Sequence, residues 1–210
     1  MRLQSLFHTY LSRIIVLLVV VILTEQCART PPVTYYRLSP VDAGQEILAG
    51  SAFDNPLIGI GPLRLPEFLD RPQMIIRKDP NRLQLADSHR WIEPLAENIA
   101  QVLRENLAVL LNTERFLFYP WSRSTDVSYQ LVVDIIRFEG EGFEEAHLEA
   151  VWSVQNGTGK SILPQQRNNY RVKNGTADHE GMVRALSETL FLFSRDIARQ
   201  LTLTAMNLPE

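Results

Sequence analysis

Residues 128–154, SYQLVVDIIRFEGEGFEEAHLEAVWSV, decide how this chain folds. From Tyr129 to Phe138 apolar and polar side chains alternate, the period of two that sends successive residues to opposite faces of a strand. Tyr129, Leu131, Val133, Ile135 and Arg137 fall on one face, and Val132, Asp134, Ile136 and Phe138 on the other. Ala146–Val154 repeats the pattern, with Leu148, Ala150, Trp152 and Val154 on its apolar face. The glycine- and glutamate-rich segment between them predicts a turn, and the whole stretch an antiparallel hairpin.

On either side of the hairpin the period changes to that of a helix. Leu95, Ile99, Val102, Leu103, Asn106 and Leu110 form one stripe, with Pro94 suited to the first turn and Asn112 to a left-handed cap. Met182, Ala185, Leu186, Leu190, Phe193, Ile197 and Leu201 form a longer stripe that Asp178 can cap. Each stripe has to bury against a sheet. Further strands are expected at 34–38, 57–65 (with Pro62 marking an edge or a bulge), 74–77, 82–85, 115–119 and 165–172, and residues 41–56 read as loop. Strands, helix, strands, helix, without alternating β-α-β units, predict an α+β fold. The expected form is a two-layer sandwich, a mainly antiparallel sheet with two long helices packed on one face. A dinucleotide-binding fold is disfavoured.

The chain has 210 residues, 45% of them hydrophobic, a net charge of −3 and one cysteine. A single thiol excludes an intramolecular disulfide framework and cysteine-cluster metal sites. Mild acidity argues against a nucleic-acid partner. Near the N-terminus Arg2 and Arg13 precede IIVLLVVVIL at 14–23, which as a helix covers about 15 Å, roughly half a bilayer core. That is the pattern of a secretory signal peptide.

Cys27 stands four residues beyond the apolar run, where a lipoprotein signal peptidase would leave a lipid-modified N-terminal cysteine. The preceding residues depart from the usual lipobox. Thr24 replaces the aliphatic residue, Gln26 replaces the small one, and Glu25 lies between them. Ala28 in place of aspartate favours sorting to the outer membrane. The expected organisation is a signal peptide at 1–26, a lipidated tether at 27–33 and a domain at 34–210.

No catalytic pattern emerges. His89, His147 and His179 lie in separate segments without an HExxH spacing. His89, in ADSHRW, would need Asp87 or Glu93 to orient it for catalysis, and it reads first as a loop residue packing on Trp91. NGTGKS at 156–161 reads as a hairpin turn, and Glu139, Glu141, Glu144 and Glu145 read as a solvated turn lacking the calcium-loop pattern. No metal or cofactor is expected, and the chain does not read as an enzyme.

One longer stretch is distinctive: GPLRLPEFLDRPQMIIRKDPNRLQLADSHRWIEPLAENIAQVLRENLAVLL at 61–111, followed by YPW at 119–121. With the YYRLSP start and YQLVVDIIRFEG, it resembles the PqiC family of ABC-type transport auxiliary lipoproteins over residues 34–205. The resemblance implies a non-enzymatic lipoprotein subunit on the periplasmic face of the outer membrane, held by N-terminal acyl chains. It also implies a system with an MCE-domain protein partner, concerned with lipid movement and membrane integrity. Homo-oligomer formation is left open.

Within the quoted stretch, Leu65, Pro66, Leu69 and Pro72 would set a rigid corner and Arg71 an ion pair. Trp91, between Arg90 and Pro94, would anchor the helix start. Leu65, Pro66, Arg71, Pro72, Arg90, Trp91 and Pro94 are thus candidates for structural or partner-docking roles, and Cys27 for lipidation. Two alternatives stand beside this reading. A stand-alone lipid carrier needs an apolar cavity of about 300 Å³ or more. A lipid hydrolase would use Ser88 or Ser122 with His89.

Overall fold

The 128–154 hairpin is the spine of the molecule. The computed structural model describes residues 13–14, 32–40, 56–122 and 124–207, so Cys27, its flanking motif and most of the 41–56 loop lie outside the described residues. The strands are β1 (Thr34–Tyr36), β2 (Ile58–Arg64), β3 (Gln73–Asp79), β4 (Arg82–Trp91), β5 (Phe116–Phe118), β6 (Tyr129–Glu141), β7 (Glu145–Gln155) and β8 (Ser161–Lys173). The helices are α1 (Leu95–Leu111) and α2 (His179–Asn207).

β6 pairs antiparallel with β7 along its length, and β7 pairs antiparallel with β8. The opposite edge of β6 is shared. β2 runs parallel to its first half (Ile58 opposite Tyr129, Arg64 opposite Asp134), and β3 runs parallel to its end (Ile76 opposite Gly140). β2 and β3 are therefore two successive lengths of chain along one edge, separated by the corner at 65–72. β5 adds parallel to β2, β4 antiparallel to β3, and β1 parallel to β4.

The α+β class and its two helices match the expectation. The mainly antiparallel sandwich does not: the eight strands form a mixed sheet that curls into a half-barrel. The cause is the connection through α1, which lets β5 and β6 run in the same direction as β2. Parallel neighbours need such a crossover, whereas a hairpin makes antiparallel ones.

β6 also carries a correction. Its register against β7 shifts between Ile135 and Arg137, the mark of a bulge. Up to Ile135 the expected face is buried; after the bulge Phe138 turns inward, Ile136 is left exposed and Arg137 goes to the opposite face. The next inward residue is Gly140, where a Cβ would lie 2.7 Å from Met182 Cε, so α2 sits directly on the strand.

Both predicted helical stripes are buried in full. α2 lies over β6, β7 and β8, and α1 lies against β2 and beside α2. Asp178 caps α2 by accepting hydrogen bonds from Gly181 N at 2.7 Å and Thr176 Oγ1 at 2.8 Å. Asn112 ends α1 at φ 50°, ψ 48°. Two other strands are longer than expected. β4 continues to Trp91, which makes His89 a strand residue, and β8 runs through Pro164 beside a register shift on an edge, where proline costs no ladder bond. The NGTGKS segment is the β7–β8 turn, with Asn156 Oδ1 accepting from Thr158 N at 3.1 Å and Lys160 N at 2.9 Å.

Candidate functional site

The corner between β2 and β3 is held by consecutive tight turns. Pro66 O accepts from Leu69 N at 2.9 Å, Glu67 O from Asp70 N at 3.2 Å, and Leu69 O from Arg71 N at 2.9 Å. Leu69 plugs the corner into the core at 2% exposure. Pro72 O then accepts Trp91 N at 2.7 Å, which ties the corner to the end of β4. The two halves of the sequence motif, far apart along the chain, meet through that bond.

They enclose a depression of about 280 Å³ whose lining includes Arg71, Pro72, Trp91, Ile92, Glu93 and Pro94. Trp91 forms its buried floor, while Ile92 stands 59% exposed on the rim. Pro94 sets the start of α1, where its carbonyl accepts Asn98 N at 3.1 Å. Of the predicted residues, Arg71, Pro72, Trp91 and Pro94 are brought together here. Leu65 packs on the core, Pro66 opens the turns, and Arg90 turns away to donate from Nε to Asp87 O at 3.1 Å.

The ion pair expected of Arg71 is not formed among the described residues. The neighbouring carboxylate, Glu93, is taken by Arg37 at 2.9 Å, and Arg71 Nε is buried without a hydrogen-bond partner.

A second concavity, of about 510 Å³, runs between β2, β5 and the first turns of α1. Ile60, Pro62, Leu63 and Ala100 form its apolar wall, Phe118 and Tyr119 its exposed lip, and Glu97 and Gln101 its polar rim. Trp121 closes the neighbouring surface. It lies so near Gly59 that a Cβ there would fall 2.4 Å from the indole, which explains the glycine in LIGIG. The sequence flagged YPW only through resemblance, because the groove exists only once β5 is placed beside β2.

On the sheet face away from the helices lies a charged network that sequence reasoning missed. Glu139, read as part of a solvated turn, is fully buried and accepts from Arg77 Nε at 2.5 Å and Arg137 Nε at 3.0 Å. Glu141 accepts from Arg137 at 2.6 Å and Arg171 at 2.5 Å, and Arg171 also reaches Glu145 at 2.6 Å. Burial pushes the Glu141 carboxyl up, but hydrogen bonds from Arg171 and Arg137 outweigh it and hold the group at about 2. His147 lies beside Glu141 at 3.3 Å; burial, and then the Arg137 and Arg171 charges, pull its pKa down. The signal was the placement of arginines on β3, β6 and β8, which pair only in the folded register.

The histidines and Ser122 have other partners. His89 is stacked on His179 and hydrogen-bonded to Tyr36 OH at 2.8 Å, Glu93 is committed to Arg37, and Ser122 bonds Ser124 at 2.8 Å. Among the described residues no group of histidine, cysteine and carboxylate side chains could hold a metal ion. None of the described helices is long and apolar enough to cross a membrane.

With this geometry in hand, the chain can be compared with known proteins. The family model of the ABC-type transport auxiliary lipoprotein component matches residues 36–198. No curated protein matches the chain. Among solved structures, an uncharacterized protein superposes with a TM-score of 0.66 at 18% identity, over 81% of this chain and 99% of that one. A protein from Xanthomonas campestris, XCC0632 of the DUF330 family, gives 0.63 at 13% identity, over 82% and 97%. At these identities the two structures speak for the fold.

Proposed function

The chain belongs to the family of ABC-type transport auxiliary lipoprotein components, and from that premise we propose a more specific role. It is an outer-membrane-anchored periplasmic lipoprotein, a non-enzymatic subunit of an MCE-type intermembrane lipid transport system that supports envelope integrity. Residues 1–26 are its signal peptide, Cys27 its lipidated residue, 27–33 its tether and 34–210 its working domain. Several acyl chains at about 0.8 kcal/mol per buried CH₂ suffice for stable anchoring, where one is marginal.

The observation that carries the reading is the family match across 36–198, which spans nearly the whole domain and includes the corner motif. The docking surface is the depression at the corner, where Ile92 offers an apolar contact and Arg71 a charge with no ion pair among the described residues. Co-purification of the full chain with the MCE-domain protein is the test. Ile92→Asp and Arg71→Glu each reduce recovery of the partner by about tenfold, roughly 1.4 kcal/mol of binding, while leaving the thermal midpoint within a few degrees. Undiminished recovery by both variants removes the corner from the interface. Mass spectrometry of membrane-extracted protein checks the anchor, and an unmodified N-terminus upstream of Cys27 refutes it.

The apolar groove favours a second reading, a stand-alone lipid carrier, because its volume exceeds the roughly 300 Å³ such a site needs. Native mass spectrometry separates the two. A carrier retains stoichiometric lipid without the partner, and Ala100→Trp abolishes it.

A further inference from the structure

Four rings from different parts of the chain form a ladder along one side of the molecule. Tyr36 on β1 stacks on His89 of β4 at 5.6 Å, His89 on His179 of α2 at 3.5 Å with 7° between the ring planes, and Phe143 of the β6–β7 turn meets His179 edge-on at 4.8 Å. We propose that the His89–His179 stack is a proton-operated latch, closed while at most one imidazole is charged and released when both are.

The geometry treats the two protons differently. His89 Nδ1 lies 2.8 Å from Tyr36 OH. The phenol donates to the neutral ring and accepts from the charged one, so His89 takes up a proton without losing its partner. A second proton, on His179, places two cations face to face. It also sits in the first turn of α2, where the helix end is already partly positive. Lys78 of β3 adds a cation nearby, 5.5 Å over the Phe143 ring.

The nearby carboxylates are already engaged, although Asp178 keeps its charge beside His179. Asp178 accepts from Gly181 N and Thr176 Oγ1, and Glu180 pairs with Arg184 at 2.6 Å. Burial pulls the His179 pKa down, the His89 and Lys78 charges add to this, and Asp178 opposes it. The two parallel rings aim their nitrogens along separate planes, so the pair is arranged for protons rather than for chelating one ion.

Opening the stack has a defined consequence. β1 is the first strand of the domain, and residues 36–39 are pinned to the rest of it by Ile92 N to Tyr36 O at 3.0 Å, Arg37 to Glu93, Leu38 N to Asn98 Oδ1 at 2.8 Å and Ser39 N to Ser187 Oγ at 3.2 Å. The histidine stack is the contact in this set that couples β1 and β4 to α2 through ionisable rings. Double protonation therefore loosens the first strand of the domain together with the start of α2. The latch operates whether or not residues 27–33 carry lipid.

Two measurements on the full chain in detergent micelles test it. In a proton NMR titration, the two imidazoles are expected to respond as a coupled pair and not as independent rings. His179→Gln should abolish that coupling. Hydrogen exchange, corrected for intrinsic rate, should show residues 34–37 and 179–183 losing about tenfold in protection between roughly pH 7.5 and pH 5 in wild type. His147→Gln should behave like wild type, and His179→Gln should not respond. Independent titration of the two rings overturns the proposal, as does a protection loss that His179→Gln shares. Should that variant not fold, the wild-type titration decides alone.

Discussion

β6 and β7 bury side chains on both faces, and the two faces achieve it by opposite means. Toward the helices, Phe138, Leu148, Ala150, Trp152 and Val154 pack beneath α2 in a continuous apolar layer. On the other face Glu139 and His147 are equally hidden, yet they sit among Arg77, Arg137 and Arg171. The apolar layer needs only area and shape, because the hydrophobic effect has no direction. The ionic layer needs particular partners. Arg77 comes from β3, Arg137 from β6 and Arg171 from β8, and each must arrive in register before Glu139 and Glu141 can be desolvated. One face supplies stability, and the other makes the placement of β3 conditional on the rest of the sheet being correct.

The largest effect belongs to the apolar side. Phe193 of α2 is fully buried and meets Trp152 edge-on at 6.1 Å. Phe193→Ala should cost about 3–5 kcal/mol in a urea unfolding series, from lost transfer energy and the cavity left behind. A cost under about 1 kcal/mol would mean that α2 does not rest on β7 as described.

The ionic side should respond less, and differently. Arg77→Met strips Glu139 of one of its two arginines while leaving Arg137, and about 1–3 kcal/mol is expected for the buried acceptor left short. Adding Glu139→Leu in the same chain removes the acceptor that was stranded. The double variant should therefore regain part of the loss, since a buried ion pair replaced by matched apolar groups is often neutral or better. If the double variant is as damaged as the sum of the singles, the network is worth more than its desolvation.

Acid should loosen the ionic face in two windows. His147 has its pKa lowered by burial and the flanking arginines, so the unfolded chain takes up the proton first. Its contribution is complete above the unfolded value of about 6.5 and declines as pH falls below it. Glu141, held at about 2 against an ordinary 4.5, contributes fully above 4.5 and loses that contribution as pH falls through about 2. Urea midpoints measured against pH should show both declines in wild type. His147→Gln should lessen the upper one, leaving the part that His179 contributes, and Glu141→Gln should flatten the lower one.

These two faces were not equally legible in the sequence. Leu148 to Val154 and the stripes of both helices follow from periodicity alone, since burial there depends on spacing that a single segment displays. Asp178 and Asn112 follow from capping chemistry. The corner residues Arg71, Pro72, Trp91 and Pro94 stood out through the resemblance, but their meeting depends on the Pro72–Trp91 hydrogen bond between segments that no local pattern connects. Glu139 was misread because EGEGFEE has the composition of a solvated turn, and only the parallel arrival of β3 brings Arg77 to cover it. Parallel neighbours are set by crossover topology, and the His89–His179 stack is likewise set by the path of α2, so neither leaves a mark on local periodicity.

The smallest predicted effect tests the point where one face hands over to the other. Strict alternation puts Ile136 on the same face as Phe138, which is buried at 2% exposure. A residue sharing that environment would lose about 1–3 kcal/mol on replacement by a polar one of similar shape. The bulge separates the two: the register shift between Ile135 and Arg137 leaves Ile136 at 38% exposure while Phe138 turns inward. Ile136→Thr keeps the β-branch that suits a strand while shortening the side chain and making it polar. It should shift stability by no more than about 0.5 kcal/mol, with Phe138→Thr losing several times more. A large loss at Ile136 would place the phase change elsewhere in β6. Arg137 and Glu139 would then no longer share the face that gathers Arg77 and Arg171, and the ionic layer would have no strand to stand on.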